Sequence, residues 1–578
     1  MSEAKGMKKY MSGITVMDMI QQEYEHWLEH AVEDPDIAKE LREMAGDDAK
    51  IEDAFYRNLE FGTGGLRGVI GAGTNRMNVY TVAKASQGLA EYVKKMGGSK
   101  AGVAISYDSR IKSDIFARVA AQVFSGNGIQ VYIYDELMPT PCLSFAVRKL
   151  GCAAGIMITA SHNPSKYNGY KVYGSDGCQI TTEAASEILG MIDAVDIFED
   201  VSKGDFNKAV DCGLIRWIEP EVVTDFVDCV KQQSVLGPQD RADRDVAIIY
   251  SPLNGTGLKT VLRTLRESGF TNIKVVKEQE QPDGYFPTCP YPNPEIQEAM
   301  DLGIQYAKRY DADLLLATDP DCDRVGIAVK DGDGRHILLS GNETGMLLLD
   351  YICARRIANG TMPDHPIMVK TIVTIDMAER IAAHYGVKTK NVLTGFKFIG
   401  EQIGLLEKEG QSQRYIFGFE ESYGYLSGSY VRDKDAVNGV YLICEMFAYY
   451  KALGINLWEK LQELYQIYGY YLNTLHSFTF EGAVGFQKMK GIMASLRKGV
   501  EVIGGKKVLN CLDYSQGLDG LPKSDVLKFE LEDHCSVVVR PSGTEPKMKV
   551  YISVSAEERE AASRIEREMQ ESMKGFFE

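Results

Sequence analysis

One arrangement recurs three times along the chain: strand, helix, glycine, strand. The first copy runs from Gly102–Tyr107 (GVAISY) through a helical stretch, Ser113–Phe124, past Gly126 and Gly128 to the apolar run Ile129–Tyr134. The second takes Val246–Tyr250, a helix near Gly257–Arg266, Gly269 and Ile273–Val276. The third takes Ile367–Lys370, a helix near Met377–Tyr385, Gly386 and Val387–Leu393. Short apolar strands bracketing an amphipathic helix predict βαβ units with parallel strands. A glycine just past a helix can adopt the left-handed conformation that ends it. Three similar mixed α/β domains are therefore expected. The C-terminal part reads differently. After Ile467–Tyr471 comes a less regular region, then Val537–Val539, a polar loop, Val550–Val554 and a charged helix from Ala556, which suggests an α+β domain. The segment Ile14–Asn58 reads as helical and is expected to pack on the first domain. The expected division is a helical segment 1–58, then domains 59–210, 211–330, 331–460 and 461–578.

A chain of 578 residues has room for about three to five domains. Its formal net charge of −17 argues against broad nucleic-acid binding, which needs a basic face. A small phosphorylated ligand needs only a local cluster of cations. The 11 cysteines contain no C-x-x-C pair, which fits a reducing compartment better than a disulfide framework or zinc site. The opening MSEAKGMKKYMSG lacks the apolar stretch of a signal peptide, and no run of about 18 apolar residues follows. A cytoplasmic protein without a membrane span is expected. Oligomeric state is not readable.

Four loops carry chemistry. Thr159-Ala160-Ser161-His162-Asn163-Pro164 follows the apolar strand Gly155–Thr159, so Ser161 falls just past a strand's carboxyl end, where ligands gather in parallel sheets. It reads either as an activated serine or as a turn built of turn formers. Asp319-Pro320-Asp321-Cys322-Asp323-Arg324 follows the strand Asp313–Ala317. Three carboxylates at alternate positions can converge on a hard cation. An EF-hand loop is excluded, because the sixth position is Arg324 rather than Gly and the twelfth is Lys330 rather than Glu; Mg²⁺ completed by a phosphoryl oxygen suits the small donor set better. Gly418-Phe419-Glu420-Glu421-Ser422-Tyr423-Gly424 follows Tyr415–Phe417 and offers hydrogen bonds to sugar hydroxyls, or else forms a solvated acidic turn. Downstream, Arg432-Asp433-Lys434-Asp435 alternates in charge, and Lys434 reads as a catalytic lysine or a surface ion-pair member. Arg540-Pro541-Ser542-Gly543-Thr544 suits a phosphate through a guanidinium, hydroxyls and exposed backbone N–H groups, with a plain β-turn as the alternative. Gly62–Gly68 and Thr394-Gly395-Phe396-Lys397 each set a cation in a glycine-containing loop; the former is not a P-loop.

In this order, from about Phe61 to Val554, these motifs resemble the α-D-phosphohexomutase family and, within it, the bacterial-type phosphoglucomutases. The resemblance implies an α/β fold of four domains around a central cleft, each giving one loop. It implies Ser161 as the phosphoserine, with Asp319, Asp321, Asp323 and an oxygen on phosphorylated Ser161 holding Mg²⁺. Arg67, His162, Lys171 and Lys434 fall at catalytic positions. Thr394, Gly395, Lys397, Glu420, Ser422, Arg432, Arg324, Arg540, Ser542, Gly543 and Thr544 fall at substrate-binding positions. The loop Gly395–Lys397 departs from many members by carrying Phe396, which cannot transfer protons, and Lys434 becomes the candidate acid or base by elimination. The pair Glu420-Glu421 resembles glucose-type members. The implied reaction interconverts glucose 1-phosphate and glucose 6-phosphate through glucose 1,6-bisphosphate, which also primes the enzyme. Phosphopentomutase and phosphomannomutase are the nearest alternatives, and a non-catalytic sugar-bisphosphate-binding phosphoprotein is a remote one.

Overall fold

The computed structural model describes residues 15–61, 64–480, 482–518, 520–541 and 547–577. The chain forms two compact units. One holds Met1–Val222 with Pro282–Pro292, and the other holds Val223–Gln281 with Asn293–Glu578. Among the described residues, no helix is long and apolar enough to cross a membrane.

The first unit is built on a sheet of β1 (Gly65–Val69), β2 (Val103–Tyr107), β3 (Val131–Ile133), β4 (Ala154–Ile158), β5 (Tyr167–Gly174) and β6 (Ile215–Trp217), in the order β1-β5-β4-β2-β3-β6. Strands β2, β3, β4 and β6 run parallel, and β5 runs antiparallel to β4 and β1. The helices Val16–His30, Pro35–Glu43 and Asp48–Phe55 join this core through Trp27, which is fully buried edge-on to Phe55, Tyr80 and Phe198.

The second unit carries three sheets. The first has β7 (Ile248–Ser251), β8 (Ile273–Val275), β9 (Leu314–Thr318), β10 (Val325–Lys330) and β11 (His336–Leu339), ordered β11-β10-β9-β7-β8. The next has β12 (Ile367–Thr371), β13 (Lys388–Val392), β14 (Tyr415–Glu420) and β15 (Gly424–Leu426), ordered β13-β12-β14-β15. The last has β16 (Tyr470–Thr479), β17 (Val502–Ile503), β18 (Lys506–Asp513), β19 (Leu527–Leu531), β20 (Ser536–Pro541) and β21 (Lys547–Ala556), ordered β16-β21-β20-β19-β18-β17, with the helix Arg559–Phe577 against β16 and β21.

The three recurring segments are βαβ units: β2/β3, β7/β8 and β12/β13 pair in parallel. Gly128, Gly269 and Gly386 take φ of 70°, 89° and 69° at the stops predicted for them. Each unit then adds a further parallel strand on the other side of its first strand (β4, β9, β14), followed by an antiparallel return (β5, β10, β15). The serine, aspartate and Glu-Ser motifs occupy the same place in all three, the turn between those last two strands.

Two expected boundaries move. β6 lies beyond 210 yet completes the first sheet beside β3, and β11 lies beyond 330 yet pairs with β10. Both are short edge strands; β6 pairs with the distant β3, whereas β11 closes a hairpin on β10 just across the expected boundary. The stretch read as less regular after Tyr471 holds β16 to β19 and a helix, Gly482–Leu496. Strands β16 and β18 mix exposed and partly buried residues, which blurs a purely apolar signal.

A buried cation steadies the turn after β12. Lys370, fully buried, donates to Asp376 (2.9 Å) and Thr374 O (3.0 Å) and pairs with Glu379 (3.1 Å). Asp376 also accepts from Ser536 of β20 (3.1 Å) and lies 3.4 Å from Lys528 of β19, so one carboxylate ties the third sheet to the last. Although burial opposes it, Lys370 and then Lys528 hold the Asp376 carboxyl well below the usual carboxylate range. Asp376→Ala should lower unfolding stability by on the order of 3 kcal/mol, because it strips a buried ammonium of a partner; denaturant titration checks the shift.

Candidate functional site

In the first unit, β4 delivers its turn at the sheet's carboxyl edge. Ser161 has φ of 54°, in the left-handed region that non-glycine residues seldom occupy. Its amide donates to Thr159 Oγ1 (2.8 Å), and its Oγ lies 3.2 Å from His162 Nδ1. Ser161 is buried. Arg67 on β1 donates to Asn163 Oδ1 of this turn (3.4 Å). Gly65 pairs with Lys171 and Arg67 with Gly169, so Arg67 and Lys171 share one face of the sheet. That pairing is close: a Cβ on Gly65 would lie 2.0 Å from Tyr170 O.

In the second unit, Asp319, Asp321 and Asp323 are fully buried, and one carboxylate oxygen from each lies within 4.8 Å of the others. The turn is folded on itself. Asp319 Oδ1 accepts the amides of Asp323 and Arg324, each at 3.0 Å, and Cys322 takes φ of 51°. Gly255 lets the chain pass close behind; its Cβ would meet Pro320 Cα at 2.4 Å. Burial, then Asp323 and Asp321, pushes the Asp319 carboxyl well above the usual range. Lys434 Nζ answers that charge at 2.8 Å from Asp323 and 3.4 Å from Asp433, and Arg324 pairs with Glu295. Buried, clustered carboxylate oxygens are the donor set of a hard divalent cation, and the three aspartates fit one.

The turn after β14 stands against this one. Val325 N–H donates to Tyr423 O (3.2 Å), and Tyr423 takes φ of 64°. Glu420 accepts from the Gly395 amide (2.9 Å), which seats Thr394–Lys397 beside it at the start of the helix Phe396–Lys408. Glu421 accepts from Thr374 (3.2 Å) and Thr371 (3.4 Å). Burial, then Glu421, raises Glu420 to about 7 against the pull of Lys434 and Arg324. Arg540 on β20 donates to Tyr551 OH (3.2 Å) and acts electrostatically on Glu421. Ser542, Gly543 and Thr544 lie outside the described residues.

Two of the expected site residues carry close protein partners. Arg432 is fully buried, paired with Glu407 (2.7 Å) and donating to the carbonyls of Val431 (3.0 Å) and Ser429. It shapes the turn before the helix Ala436–Ala452. Lys434 suffers burial, but Asp323 and Asp433 more than offset it and raise its pKa, which favours the ammonium form. The sequence reading passed over Asp108 and Arg110, just beyond β2, which bond to the serine turn. Their one local signal was position: charged residues directly after a buried strand, where the serine and aspartate motifs also sit. Glu295, the partner of Arg324, had none.

Three similar α/β sheets that carry a serine turn, an aspartate cluster and a Glu-Ser turn in equivalent places, followed by a fourth sheet, define the class. Residues 58–197, 224–332 and 340–468 match the phosphoglucomutase/phosphomannomutase alpha/beta/alpha domains I, II and III. The chain is 38% identical to the phosphoglucomutase of Staphylococcus saprophyticus over 543 residues, 92% of this chain and 96% of that one. It is likewise 38% identical to the phosphoglucomutase of Staphylococcus aureus over 546 residues, covering 92% and 95%. The fold is shared with parafusin, an exocytosis-sensitive phosphoprotein and phosphoglucomutase from Paramecium (TM-score 0.67, 18% identity, 90% and 95% covered), and with a phosphoglucomutase/phosphomannomutase family protein from Burkholderia thailandensis (TM-score 0.67, 18% identity, 89% and 97% covered). The chain belongs to the phosphoglucomutase/phosphomannomutase family.

Asp321→Ala should weaken binding of a divalent cation by at least an order of magnitude while leaving the protein folded, since the remaining carboxylates lose a hard ligand. Calorimetric titration with MgCl₂ checks this.

Proposed function

We propose that the protein is a phosphoglucomutase that interconverts α-D-glucose 1-phosphate and glucose 6-phosphate by way of phosphorylated Ser161 and glucose 1,6-bisphosphate. The observation that carries this reading is topological. Three equivalent strand returns each bear a different instrument: a serine hydroxyl, a carboxylate cluster, and a carboxylate with a neighbouring hydroxyl. The phosphoglucomutase relatives, matched over most of both chains, support the same reaction.

In the forward half, the P–O bond to Ser161 breaks as a sugar hydroxyl oxygen takes the phosphoryl group and gives up its proton. Ser161 keeps the electron pair of the broken bond, takes up a proton in exchange for the one the sugar released, and so becomes the hydroxyl that accepts the other phosphate when it returns. Glu420 accepts from sugar hydroxyls, with Ser422 beside it as donor or acceptor. Arg540 and Ser542–Thr544 hold the phosphate that is not moving. Arg67, Lys171, Arg324 and Lys434 are the cations that this reading assigns to the moving one. Asp319, Asp321 and Asp323 would hold Mg²⁺, whose contribution is to neutralise phosphoryl charge. Phosphoryl transfer asks mainly for alignment and charge compensation, which is what these groups offer. The sugar bisphosphate as primer and a cytoplasmic location belong to the same proposal.

Ser161→Ala should abolish turnover, at least 1,000-fold, in a protein that melts normally; near-normal rates would sink the mechanism. Parallel assays with glucose, mannose and ribose 1-phosphates, each with its bisphosphate, should favour glucose. Because the Glu420 carboxyl sits near 7, it gains a proton as the pH falls through that value and loses acceptor strength. kcat/KM for glucose 1-phosphate should drop along that limb, and the limb should vanish in Glu420→Gln.

A further inference from the structure

Arg110 lies a few residues beyond β2, and its side chain is fully buried. An arginine this close to a serine that carries phosphate is the natural candidate to bind that phosphate. Its donors point elsewhere. Nη1 donates to Pro164 O (2.9 Å) and Tyr167 O (3.0 Å), and Nη2 donates to the carbonyls of Ser161 and Asn163. Nε faces Asp108 Oδ2 at 3.4 Å. One planar fork thus gathers four carbonyls spread along the serine turn, the geometry a guanidinium has and an ammonium lacks.

Asp108, also buried, completes the arrangement from the amide side. Its Oδ1 accepts from Arg110 N (2.9 Å) and Ser113 Oγ (2.8 Å), and its Oδ2 accepts the Thr159 hydroxyl (2.6 Å). With its proton directed to Asp108, the Thr159 oxygen presents lone pairs to the Ser161 amide at 2.8 Å. Both peptide groups of Ser161 are therefore held: the N–H by Thr159, the C=O by Arg110. This residue needs such restraint, because φ of 54° is a conformation that a serine seldom keeps unaided. Behind the guanidinium lies the Phe286 ring, 5.1 Å from Cζ, and the chain reaches that spot through Gly284, whose Cβ would meet Ile111 N at 2.5 Å.

We propose that Asp108, Thr159 and Arg110 form a backbone clamp that fixes Ser161 in its left-handed conformation, and that they are positioning residues for phosphoryl transfer rather than phosphate ligands. The clamp rests on the reading of Ser161 as the phosphoryl carrier. It holds the serine by backbone groups that phosphorylation does not alter, so the Cα–Cβ bond that aims the oxygen keeps one direction whether or not phosphate is present. Misplacing a reacting atom by about 1 Å lowers a rate on the order of 100-fold without touching the groups that bind substrate.

The test uses the full-length enzyme with Mg²⁺ and glucose 1,6-bisphosphate, and measures kcat and KM for glucose 1-phosphate. Thr159→Val keeps shape and removes the acceptor for the Ser161 amide; Thr159→Ser restores a hydroxyl; Arg110→Lys keeps charge but cannot span the carbonyls. The expected result is a kcat lowered about 100-fold in Thr159→Val and in Arg110→Lys, KM within about two-fold of wild type, and recovery to within about three-fold in Thr159→Ser. A kcat near wild type in Thr159→Val, equal damage in Thr159→Ser, or a KM that rises as kcat falls overturns the clamp. The two disruptive variants remove different members, so either one that folds decides. Ser161→Ala run alongside separates the two ideas: turnover in that variant defeats the phosphoserine reading itself, whereas an inactive Ser161→Ala beside a fully active Thr159→Val defeats the clamp alone.

Discussion

A parallel strand that is followed by an antiparallel neighbour must reverse at once, without the helical crossover that links parallel strands. That constraint acts at the end of β4, β9 and β14, and the three chemical turns exist because of it. Each reversal forces one non-glycine residue into positive φ: Ser161, Cys322 and Tyr423. Such a conformation survives only where neighbours over-determine it. Thr159 and Arg110 do so for Ser161, the Asp319 carboxylate and the close pass of Gly255 for the aspartate turn, and Val325 with Gly341 for Tyr423. The serine, the aspartates and the Glu-Ser pair are thus mounted on reversals that their neighbours hold in place.

The second constraint is charge. Buried carboxylates repel one another unless cations or hydrogen bonds answer them. The aspartate turn is answered by Lys434, Arg324 and its own amides; Glu420 is answered by the Gly395 amide and by the same two cations at longer range. Lys434 and Arg324 therefore serve two turns at once, and the hydrogen bond from Val325 to Tyr423 keeps those turns together. An acidic chain concentrates its positive charge where buried negative charge demands it.

The three βαβ units were legible because their strands are short apolar runs, their helices are amphipathic, and their glycines stop those helices. Ser161, the three aspartates and Glu420 were legible because each follows directly on an apolar strand. What stayed hidden depends on partners distant in sequence. Strand β6 is three residues long and joins its sheet only through β3, far upstream in the chain. Arg432 and Lys434 share one charged cluster, yet one is sealed against Glu407 and the other faces the aspartates; nothing in the string of charges tells them apart. Arg110 acts across some fifty residues of chain on carbonyls, which carry no residue identity at all.

The segment Pro282–Pro292 belongs to the first unit although the chain on both sides of it belongs to the second. It brings Phe286, almost fully buried, against Arg110. The serine-bearing unit is consequently not a contiguous stretch of gene. A fragment ended at Val222 would contain every strand of its sheet and still lack the aromatic surface beneath its organising arginine. Splitting this chain at the apparent joint would separate two pieces of one compact unit.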